Sequence, residues 1–379
     1  MFKHNSIAIH KRLMLVIDGD MNMKELLKRL LRWLNYESVS IFARFHFRKQ
    51  AKRYCKKNNI PQIDGAYQKE IKKFWKKYEK FPSTIFHRWY TGANGIKDVK
   101  YIPENYFYDV IERYYNDMTL EPAYVDKGMF KKLYSEIKQP TTVLLNMNGI
   151  FYDENYNVIS METACATLRK QNRVIIKPTR DSGGGKNVKF ITANNYSEQA
   201  CLELFSEYVK DYIIQLPLKQ HPQLAALHKE SINTIRVMSM LENGEVSILS
   251  SIIRMGVGDA CVDNECSGGI NCGVDESGHL SDVAYDRSGK VYKRHPQGFE
   301  FSKGYIPSYD KILSVIKKQH KKLPYFGLIS WDFAVDENGE PVMIELNLSW
   351  CGLNFHQFHH GPLFGNRTED ILGKITNNK

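Results

Sequence analysis

The chain has 379 residues, of which 42% are hydrophobic and 12% aromatic, so it can bury a full core and is long enough for two or three folding units. It contains no run of about 18 apolar residues, and the apolar segment Leu13 to Ile17 is too short and too closely flanked by charge to be a secretory signal or a membrane span. Seven scattered cysteines without a Cys-x-x-Cys pair suit a reducing compartment, so we expect a cytoplasmic protein.

Positive charge is concentrated at the N-terminal end. The net charge is +11, and residues 1–100 contain 23 Lys/Arg against 8 Asp/Glu, whereas the remainder contains 30 against 34. A local excess of this kind indicates an anionic partner, such as an acidic glycan or a membrane surface, with nucleic acid less favoured. A solvated helical face explains any single lysine equally well.

The same region has helical periodicity. From Met23 to about Tyr90 apolar residues recur at helical spacing and strand-like alternation is rare. Gly92 and Gly95 then lead into a segment of different character, so we predict a basic, mainly helical region over residues 1–100 and a boundary near residue 100.

After about residue 140, short β-rich runs alternate with helices and Gly or Asn-Gly turns, which predicts an α+β fold. Arg173 to Pro178 and Val188 to Ile191 are expected to pair as a hairpin around three glycines, with Lys177 near the end of the first strand. A lysine beside backbone N–H groups that no Cβ shields suits phosphate binding. The loop is not a P-loop, because it joins two strands and has Arg180 where that motif requires glycine. A hairpin tip without a ligand is the alternative.

Two further hairpins are predicted at Asn243-Gly244 and Asn338-Gly339, both typical of two-residue loops. If Glu337 pairs with Glu340 in the second, then Asp332 lies directly opposite Glu345. Like charges that face each other on a sheet require a proton or a cation between them.

Asn347 follows Glu345 by two residues and therefore shares its face of the strand. The resulting cluster of oxygen ligands suits Mg²⁺, which is usually held by one or two carboxylates while water and phosphates complete its coordination. The opposite face is expected to be apolar, with Trp331, Phe333, Ile344 and Leu346. Separately solvated carboxylates on an exposed face are the alternative.

Three segments together resemble the ATP-grasp superfamily and, more narrowly, its sugar-transfer-associated branch among bacterial polysaccharide biosynthesis proteins. They are Lys177-Pro178 with the glycine loop, Asn233-Thr234-Ile235-Arg236-Val237, and Asp332 with Glu345-Leu346-Asn347. The resemblance covers about residues 100–370, and residues 1–100 match no family that we can name. It implies an ATP-grasp fold of two α+β lobes over residues 101–379, with the lobe boundary near residue 215.

The resemblance also assigns site residues. The residues implied to bind ATP are Lys127, Lys177, Gly183, Gly184, Gly185, Gln215 and Leu216, with Gln215 standing where many members carry an acidic residue. The implied Mg²⁺ ligands are Asp332, Glu345 and Asn347, and the implied catalytic residues are Arg236 and Arg254. The residues expected to contact the acceptor are Gly268, Gly269, Asn271 and His295.

The implied activity is an ATP- and Mg²⁺-dependent carboxylate–amine ligase that acts through an acyl phosphate and joins an amino acid to a uronic acid of a bacterial surface polysaccharide or its precursor. A kinase that phosphorylates a saccharide hydroxyl would use the same residues. A nucleic-acid-binding protein with a vestigial nucleotide site is the other alternative, and it draws on the basic N-terminal region.

Overall fold

A computed structural model describes residues 45–180, 185, 187–264 and 267–377. The chain divides into two compact units, Met1–Gln50 and Ala51–Lys379. Residues 45–50 of the first unit are helical, and all the elements given below belong to the second unit. Residues 1–44 of the predicted basic region, together with Gly183 and Gly184 of the predicted glycine loop, lie outside the described residues.

Helices precede the sheets and also alternate with their strands. The α-helices are α1 Gly65–Trp75, α2 Ile85–Asn94, α3 Glu104–Tyr106, α4 Glu112–Tyr115, α5 Glu121–Tyr124, α6 Phe130–Leu133, α7 Met161–Arg169, α8 Glu198–Tyr208, α9 Pro222–Ala225, α10 Tyr309–His320, α11 Leu353–His360 and α12 Thr368–Asn377. A π-helix, Phe107–Ile111, joins α3 to α4, and 3₁₀ turns occur at Ala193–Asn195, Phe301–Lys303 and Gly365–Arg367.

The strands form two sheets in which neighbouring strands are antiparallel. They are β1 Thr142–Met147, β2 Ile150–Asp153, β3 Val158–Ile159, β4 Arg173–Pro178, β5 Lys189–Thr192, β6 Tyr212–Gln215, β7 Thr234–Glu242, β8 Glu245–Met255, β9 Ile270–Val274, β10 Leu280–Asp286, β11 Val291–Tyr292, β12 Leu328–Val335 and β13 Pro341–Asn347. The α+β class is confirmed.

The helical character predicted before residue 100 is confirmed for the described residues, because residues 51–57, α1 and α2 are helical. These helices are part of the second unit: Trp89 of α2 packs against Phe358 of α11 with ring centroids 5.1 Å apart, and its indole N–H donates to the carbonyl oxygen of Ser288. The boundary between the two units therefore lies between Gln50 and Ala51, whereas the change of character in the sequence lies near residue 100. Among the described residues, no helix is both long enough and apolar enough to cross a membrane.

The first sheet has the strand order β3-β2-β1-β6-β4-β5. Alternation along β4 places Val174 and Ile176 in a buried cluster with residues of α7 and α8, while Ile175 and Lys177 point to the opposite face. The predicted hairpin of β4 and β5 is confirmed. This sheet therefore has one face covered by helices and one face that lines a pocket.

The second sheet has the order β11-β10-β9-β8-β7-β12-β13. One face buries apolar side chains such as Ile235, Trp331 and Phe333 against α10. The hairpin at Asn243-Gly244 has the predicted two-residue loop, and both residues have positive φ, 52° and 80°. The strands of the two sheets divide between Gln215 and Thr234, so the break in the fold lies close to the predicted lobe boundary.

Candidate active site

Two lysines meet one glutamate where the first sheet faces the second. Lys127 Nζ lies 3.1 Å from Glu345 Oε2, and the Lys127 backbone N–H donates to the carbonyl oxygen of Thr179, just beyond β4. Burial and the charge of Lys127 lower the pKa of Lys177 to about 8, although Glu345 acts in the opposite direction. Burial alone would raise the pKa of Glu345, but the cations around it, Lys127 foremost, lower it to about 2. Glu345 is therefore ionised at neutral pH.

Two arginines bind the second predicted carboxylate. Arg236 on β7 lies directly across from Asp332 on β12 and donates from Nε and Nη2 to its two oxygens, over 2.7 and 2.6 Å. Arg254 Nη1 donates to Asp332 over 3.0 Å, and Arg254 Nη2 donates to Asp263 over 3.1 Å and to Asn264 over 2.6 Å. Both arginines and Asp332 are buried. Bidentate bonds between charged groups are strong, so this pairing fixes both guanidinium groups.

Asp263 and Asn264 were not among the predicted site residues, and they lie in the loop between β8 and β9. Besides Arg254, Asp263 accepts hydrogen bonds from the backbone N–H of Thr234, over 3.1 Å, and from the Thr234 hydroxyl. Thr234 and Asp263 are 29 residues apart, so no periodic pattern connects them. Asn233, next to Thr234, instead donates to carbonyl oxygens of the segment after β6 and so anchors the start of β7.

The predicted opposition of two carboxylates is confirmed: Asp332 pairs with Glu345 in the β12–β13 ladder. The predicted turn is wrong. The Asp336 N–H donates to the carbonyl oxygen of Glu340 over 3.0 Å, and the Glu340 N–H donates to Asp336 Oδ1 over 2.9 Å. The loop therefore has three residues, and Glu337 does not pair with Glu340.

A β-bulge compensates for the longer loop. Phe333 pairs with Met343 whereas Asp332 pairs with Glu345, so Ile344 is an additional residue in β13. Because the bulge interrupts the alternation of side chains, Ile344 and Glu345 both line the pocket, and the prediction that Ile344 belongs to the apolar face is wrong. The other three residues predicted for that face are in the core, namely Trp331, Phe333 and Leu346.

The pocket between the sheets encloses about 910 Å³, part of it open to solvent. Its apolar lining includes Ile175, Val188, Leu216, Leu218, Ile232 and Ile344, and its charged lining comprises Lys127, Lys177, Arg254, Asp263, Asp332 and Glu345. Among the described residues, and with Arg236, which is bound to Asp332, four cationic side chains outnumber three carboxylates at this site.

All five described residues that the resemblance assigned to ATP line this pocket, namely Lys127, Lys177, Gly185, Gln215 and Leu216. At the end of β6, the backbone N–H of Leu216 donates to the carbonyl oxygen of Thr141, and the Gln215 side chain donates to that of Pro140. Leu218 also lines the pocket and was not predicted. A contact to a base through the Leu216 N–H would have to replace an existing bond, whereas its carbonyl oxygen can still accept.

Glu345 and Asn347 place oxygen atoms, the ligands that Mg²⁺ prefers, on β13. Glu345 offers carboxylate oxygens, and Asn347 donates through Nδ2 to the carbonyl oxygen of Ser330 over 3.3 Å, which orients its amide and leaves Oδ1 for a cation. These two residues fit Mg²⁺. Asp332 fits less well, since both of its oxygens accept bonds from arginine. Within the described ranges there is no group of three or more His, Cys, Asp or Glu that could hold a metal ion.

Of the residues predicted to contact the acceptor, Gly269 and Asn271 lie close to the arginine cluster. A Cβ at Gly269 would be 2.4 Å from the carbonyl oxygen of Asp263, so only glycine permits this approach. Asn271 pairs with Arg254 in the β8–β9 ladder and is buried, and its Nδ2 donates to the carbonyl oxygen of Tyr285. Gly268 precedes them at φ 92°.

His295 has a different environment. It is 1% exposed, its Nε2 lies 2.9 Å from the carbonyl oxygen of Gly256, and its Nδ1 accepts from the backbone N–H of Gln297 over 3.2 Å. Both ring nitrogens thus have protein partners, and this placement gives no support to contact with an acceptor. None of the four predicted acceptor residues is among the described residues that line the pocket.

Residues 107–372 match the model of a family described as sugar-transfer associated ATP-grasp. No curated protein matches the chain. Among solved structures, it is similar to the ATP-grasp ligase PsnB complexed with minimal precursor (13% identity over 69% of this chain and 64% of that chain, TM-score 0.39). It is also similar to D-alanyl-alanine synthetase A from Vibrio cholerae (12% identity, 67% and 64%, TM-score 0.38) and to VanG D-Ala:D-Ser ligase from Enterococcus faecalis (15% identity, 67% and 61%, TM-score 0.39). The chain therefore spans less than two thirds of the length of each of these structures.

Proposed function

This chain belongs to the sugar-transfer-associated ATP-grasp family, and from that premise we propose that it is an ATP-dependent ligase that joins a carboxylate to an amine. The observation that carries the proposal is the cluster of Lys127, Lys177, Arg236 and Arg254 at the charged end of a pocket whose other end is apolar. A nucleotide triphosphate has the same division into an apolar base and a highly charged chain of phosphates. An excess of buried cations next to an apolar cavity therefore suits this ligand.

In the proposed complex the base lies against Ile175 and Leu216, and the phosphates lie between Lys127 and Lys177. Gly185, which has φ 73°, lies where the backbone of the glycine hairpin reaches the pocket. Lys127 exchanges part of its contact with Glu345 for a phosphate oxygen, since an ammonium group can donate three hydrogen bonds.

Glu345 and Asn347 are the residues that would hold Mg²⁺, with Asp332 as a third ligand only if its arginine bonds are exchanged. When bound, Mg²⁺ would neutralise phosphate charge and polarise the transferred phosphoryl group. Through its bonds to Arg236 and Arg254, Asp332 has a second use: it orients two guanidinium groups beside the place where the reaction occurs.

The proposed chemistry has two steps. A carboxylate oxygen of the acceptor attacks the γ-phosphorus of ATP, the bond to the bridging oxygen breaks, and ADP leaves. The amine nitrogen then attacks the carbonyl carbon of the acyl phosphate, phosphate leaves with the bonding electrons, and the nitrogen releases a proton as the amide forms. Arg236 and Arg254 stabilise negative charge on the transferred phosphoryl group and on the tetrahedral intermediate.

We propose a uronic acid of a nucleotide sugar or glycan as the carboxylate and an amino acid as the amine. The support for the sugar is the family description, which associates these proteins with sugar transfer. The support for the carboxylate is the position of two buried arginines that share one aspartate, because a planar guanidinium suits a carboxylate and an acyl phosphate alike.

The test is a screen of uronic acids and amino acids, in pairs, for joint stimulation of ADP and phosphate release. With an active pair, hydroxylamine should trap a hydroxamate on the uronic acid, and ¹⁸O placed in its carboxylate should appear in the released phosphate. If the label stays in the acceptor and the acceptor gains a stable phosphate ester, the ligase proposal is wrong and the protein is a phosphotransferase.

A further inference from the structure

The segment that follows β13 passes directly against the arginine cluster. β13 ends at Asn347, and Gly352 lies immediately before α11 with φ 87°. A Cβ at Gly352 would lie 3.1 Å from Arg236 Nη1, so the backbone here touches the guanidinium group. The chain between β13 and α11 therefore reaches Arg236, a proposed catalytic residue, at Gly352.

Trp350 lies in this segment and has two unusual properties. Its φ is 57°, in the left-handed region that a bulky residue adopts only with backbone strain, and the residue is 57% exposed. One face of the indole packs on Tyr108 of the π-helix, with ring centroids 4.9 Å apart and planes inclined by 42°. The residue therefore combines a strained backbone with a side chain that is only partly covered by Tyr108.

A buried glutamate fixes this conformation. Glu112, the first residue of α4, accepts the backbone N–H of Cys351 at Oε1 over 3.0 Å. Burial raises the pKa of Glu112 to about 7, and hydrogen bonds from the N–H groups of Cys351 and Trp350 act against that rise. The Cys351 thiol in turn donates to the carbonyl oxygen of Asn347 over 3.4 Å. Protein contacts therefore set the direction of the indole before any ligand binds.

The side chain of Asn354, four residues after Trp350, is held in one orientation by two hydrogen bonds. Asn354 Nδ2 donates to Glu104 Oε1 over 2.6 Å, and Asn354 Oδ1 accepts from the Tyr90 hydroxyl. Asn354 is half-buried, and both of its partners are buried. An exposed aromatic residue and an oriented amide thus lie four residues apart along the chain, on either side of Gly352, whose backbone lies against Arg236.

We propose that Trp350 is the platform on which the sugar ring of the acceptor stacks and that Glu112 positions it; this rests on the proposed function, since it names the part of the same site that takes the acceptor. A pyranose ring has a face of C–H bonds, which suits an indole, and a rim of hydroxyls, which suits the amide of Asn354. Its carboxylate would then be directed toward Arg236, whose Nη1 lies against Gly352.

The test measures binding by calorimetry with three probes: methyl glucuronide, methyl galacturonide and, as the uncharged comparison, methyl glucoside. At least one uronide should bind the full-length protein in the presence of ADP. Trp350→Ala should raise the Kd of that uronide about tenfold, as loss of an aromatic contact predicts, and Trp350→Phe should raise it less than about threefold. Tyr325→Ala is the matched control, because Tyr325 is equally exposed at 57% and should leave the Kd unchanged.

The positioning role of Glu112 has its own test. Glu112→Gln keeps an oxygen that can accept the Cys351 N–H and should retain uronide binding, whereas Glu112→Ala should weaken binding as much as Trp350→Ala does. The Kd for ADP should not change in any of these variants. The proposal is overturned if neither uronide binds the wild-type protein, if Trp350→Ala binds as wild type does, or if Glu112→Gln fails as Glu112→Ala does. Absence of amide formation together with Trp350-dependent uronide binding would overturn the proposed function and leave this inference standing.

Discussion

The charge of Lys177 depends on its surroundings in a way that can be titrated. Burial and the neighbouring Lys127 lower its pKa to about 8. Phosphate binding favours the ammonium form, which is present below that pKa and is lost as pH rises through it. We therefore predict that the Kd for ADP is constant near pH 7 and rises above pH 8, by at most about tenfold per pH unit for one proton. Calorimetry or filter binding over that range measures it.

An arginine at this position stays charged throughout the same range. In Lys177→Arg, the rise in Kd above pH 8 should disappear, even if the variant binds ADP less well at all pH values. Lys189→Arg is the control, because Lys189 is more exposed and pairs with Glu207 on the surface of the same hairpin. An unchanged pH profile in Lys177→Arg would show that another group controls nucleotide affinity.

Asp332 accepts hydrogen bonds from two arginines, whereas Glu345 lies close to Lys127. Glu345 is therefore the stronger candidate for binding Mg²⁺. We predict that Glu345→Gln lowers ATP turnover by about 10²–10³-fold, the usual effect of removing one group that stabilises transition-state charge. The variant should fold, with a lower unfolding midpoint in urea than the wild type, because it loses a negative charge that Lys127 and the two arginines stabilise. ADP release at several Mg²⁺ concentrations measures the first effect.

Glu340→Gln provides the matched control in the same hairpin. Glu340 is exposed and pairs with Lys311, so its loss should change neither turnover nor the Mg²⁺ requirement. Undiminished turnover in Glu345→Gln would remove Glu345 from the proposed metal site.

In the β12–β13 hairpin, local sequence predicted the position of the turn and the pairing of the strands, but it did not predict the length of the loop or the β-bulge. The Asn-Gly signal correctly located the reversal of the chain, and alternation correctly paired Asp332 with Glu345. The turn itself was missed because Asp336 bonds to the backbone of the loop and lengthens it by one residue. The bulge at Ile344 then restored the pairing. A bulge depends on packing against both sheets, so the pattern of β13 alone could not reveal it.

Two glycines with left-handed backbones test the proposed role of the glycine hairpin. Gly185 has φ 73°, and a Cβ there would be 3.0 Å from Asn264 Nδ2, whereas Gly244 has φ 80° with open space around it. Alanine at either position costs about 1 kcal/mol of backbone strain. We predict that Gly185→Ala also raises the KM for ATP several-fold, since Asn264 accepts a bond from Arg254 and would be displaced.

Gly244→Ala should lower the unfolding midpoint in urea and leave the KM for ATP unchanged. Both variants add one methyl group to a glycine with positive φ. Their comparison therefore separates the effect of backbone strain from an effect on nucleotide binding. Equal KM values in Gly185→Ala and Gly244→Ala would mean that the tip of the first hairpin does not contact the nucleotide.

Across the whole molecule, the sequence predicted the fold better than the site. Helical and strand periodicity, together with the motifs of the family, were sufficient for the α+β class. The bonds from Arg236 and Arg254 to Asp332 depend on β7 lying between β8 and β12, which is a long-range pairing. The place of His295 was likewise set by a buried contact with Gly256, 39 residues away. Residues that are joined by such long-range contacts are far apart in the sequence, so no periodic pattern predicts that they meet.

The positive charge of the N-terminal region predicts that the protein docks on an anionic partner. Residues 1–50 contain ten Lys/Arg and four Asp/Glu, and residues 51–100 contain thirteen and four, so much of the excess lies on the second compact unit. Lys72 and Lys73 of α1 and Lys76, which directly follows it, are exposed. Removal of residues 1–100 would also remove buried residues such as Trp89, and the docking hypothesis therefore needs two milder changes.

These changes are deletion of residues 1–50 and, in the full chain, replacement of Lys72, Lys73 and Lys76 by Glu. Each should weaken retention on an immobilised acidic polysaccharide at low salt while the Kd for ADP stays unchanged. The difference from wild type should shrink toward physiological ionic strength, where the Debye length is about 8 Å and exposed charges are screened. The control replaces three exposed lysines outside the region, Lys170, Lys210 and Lys229, by Glu and so matches the change in net charge. Equal loss of retention in the control would mean that net charge alone causes binding, and steeper salt dependence with random DNA than with polysaccharide would favour a nucleic-acid partner instead.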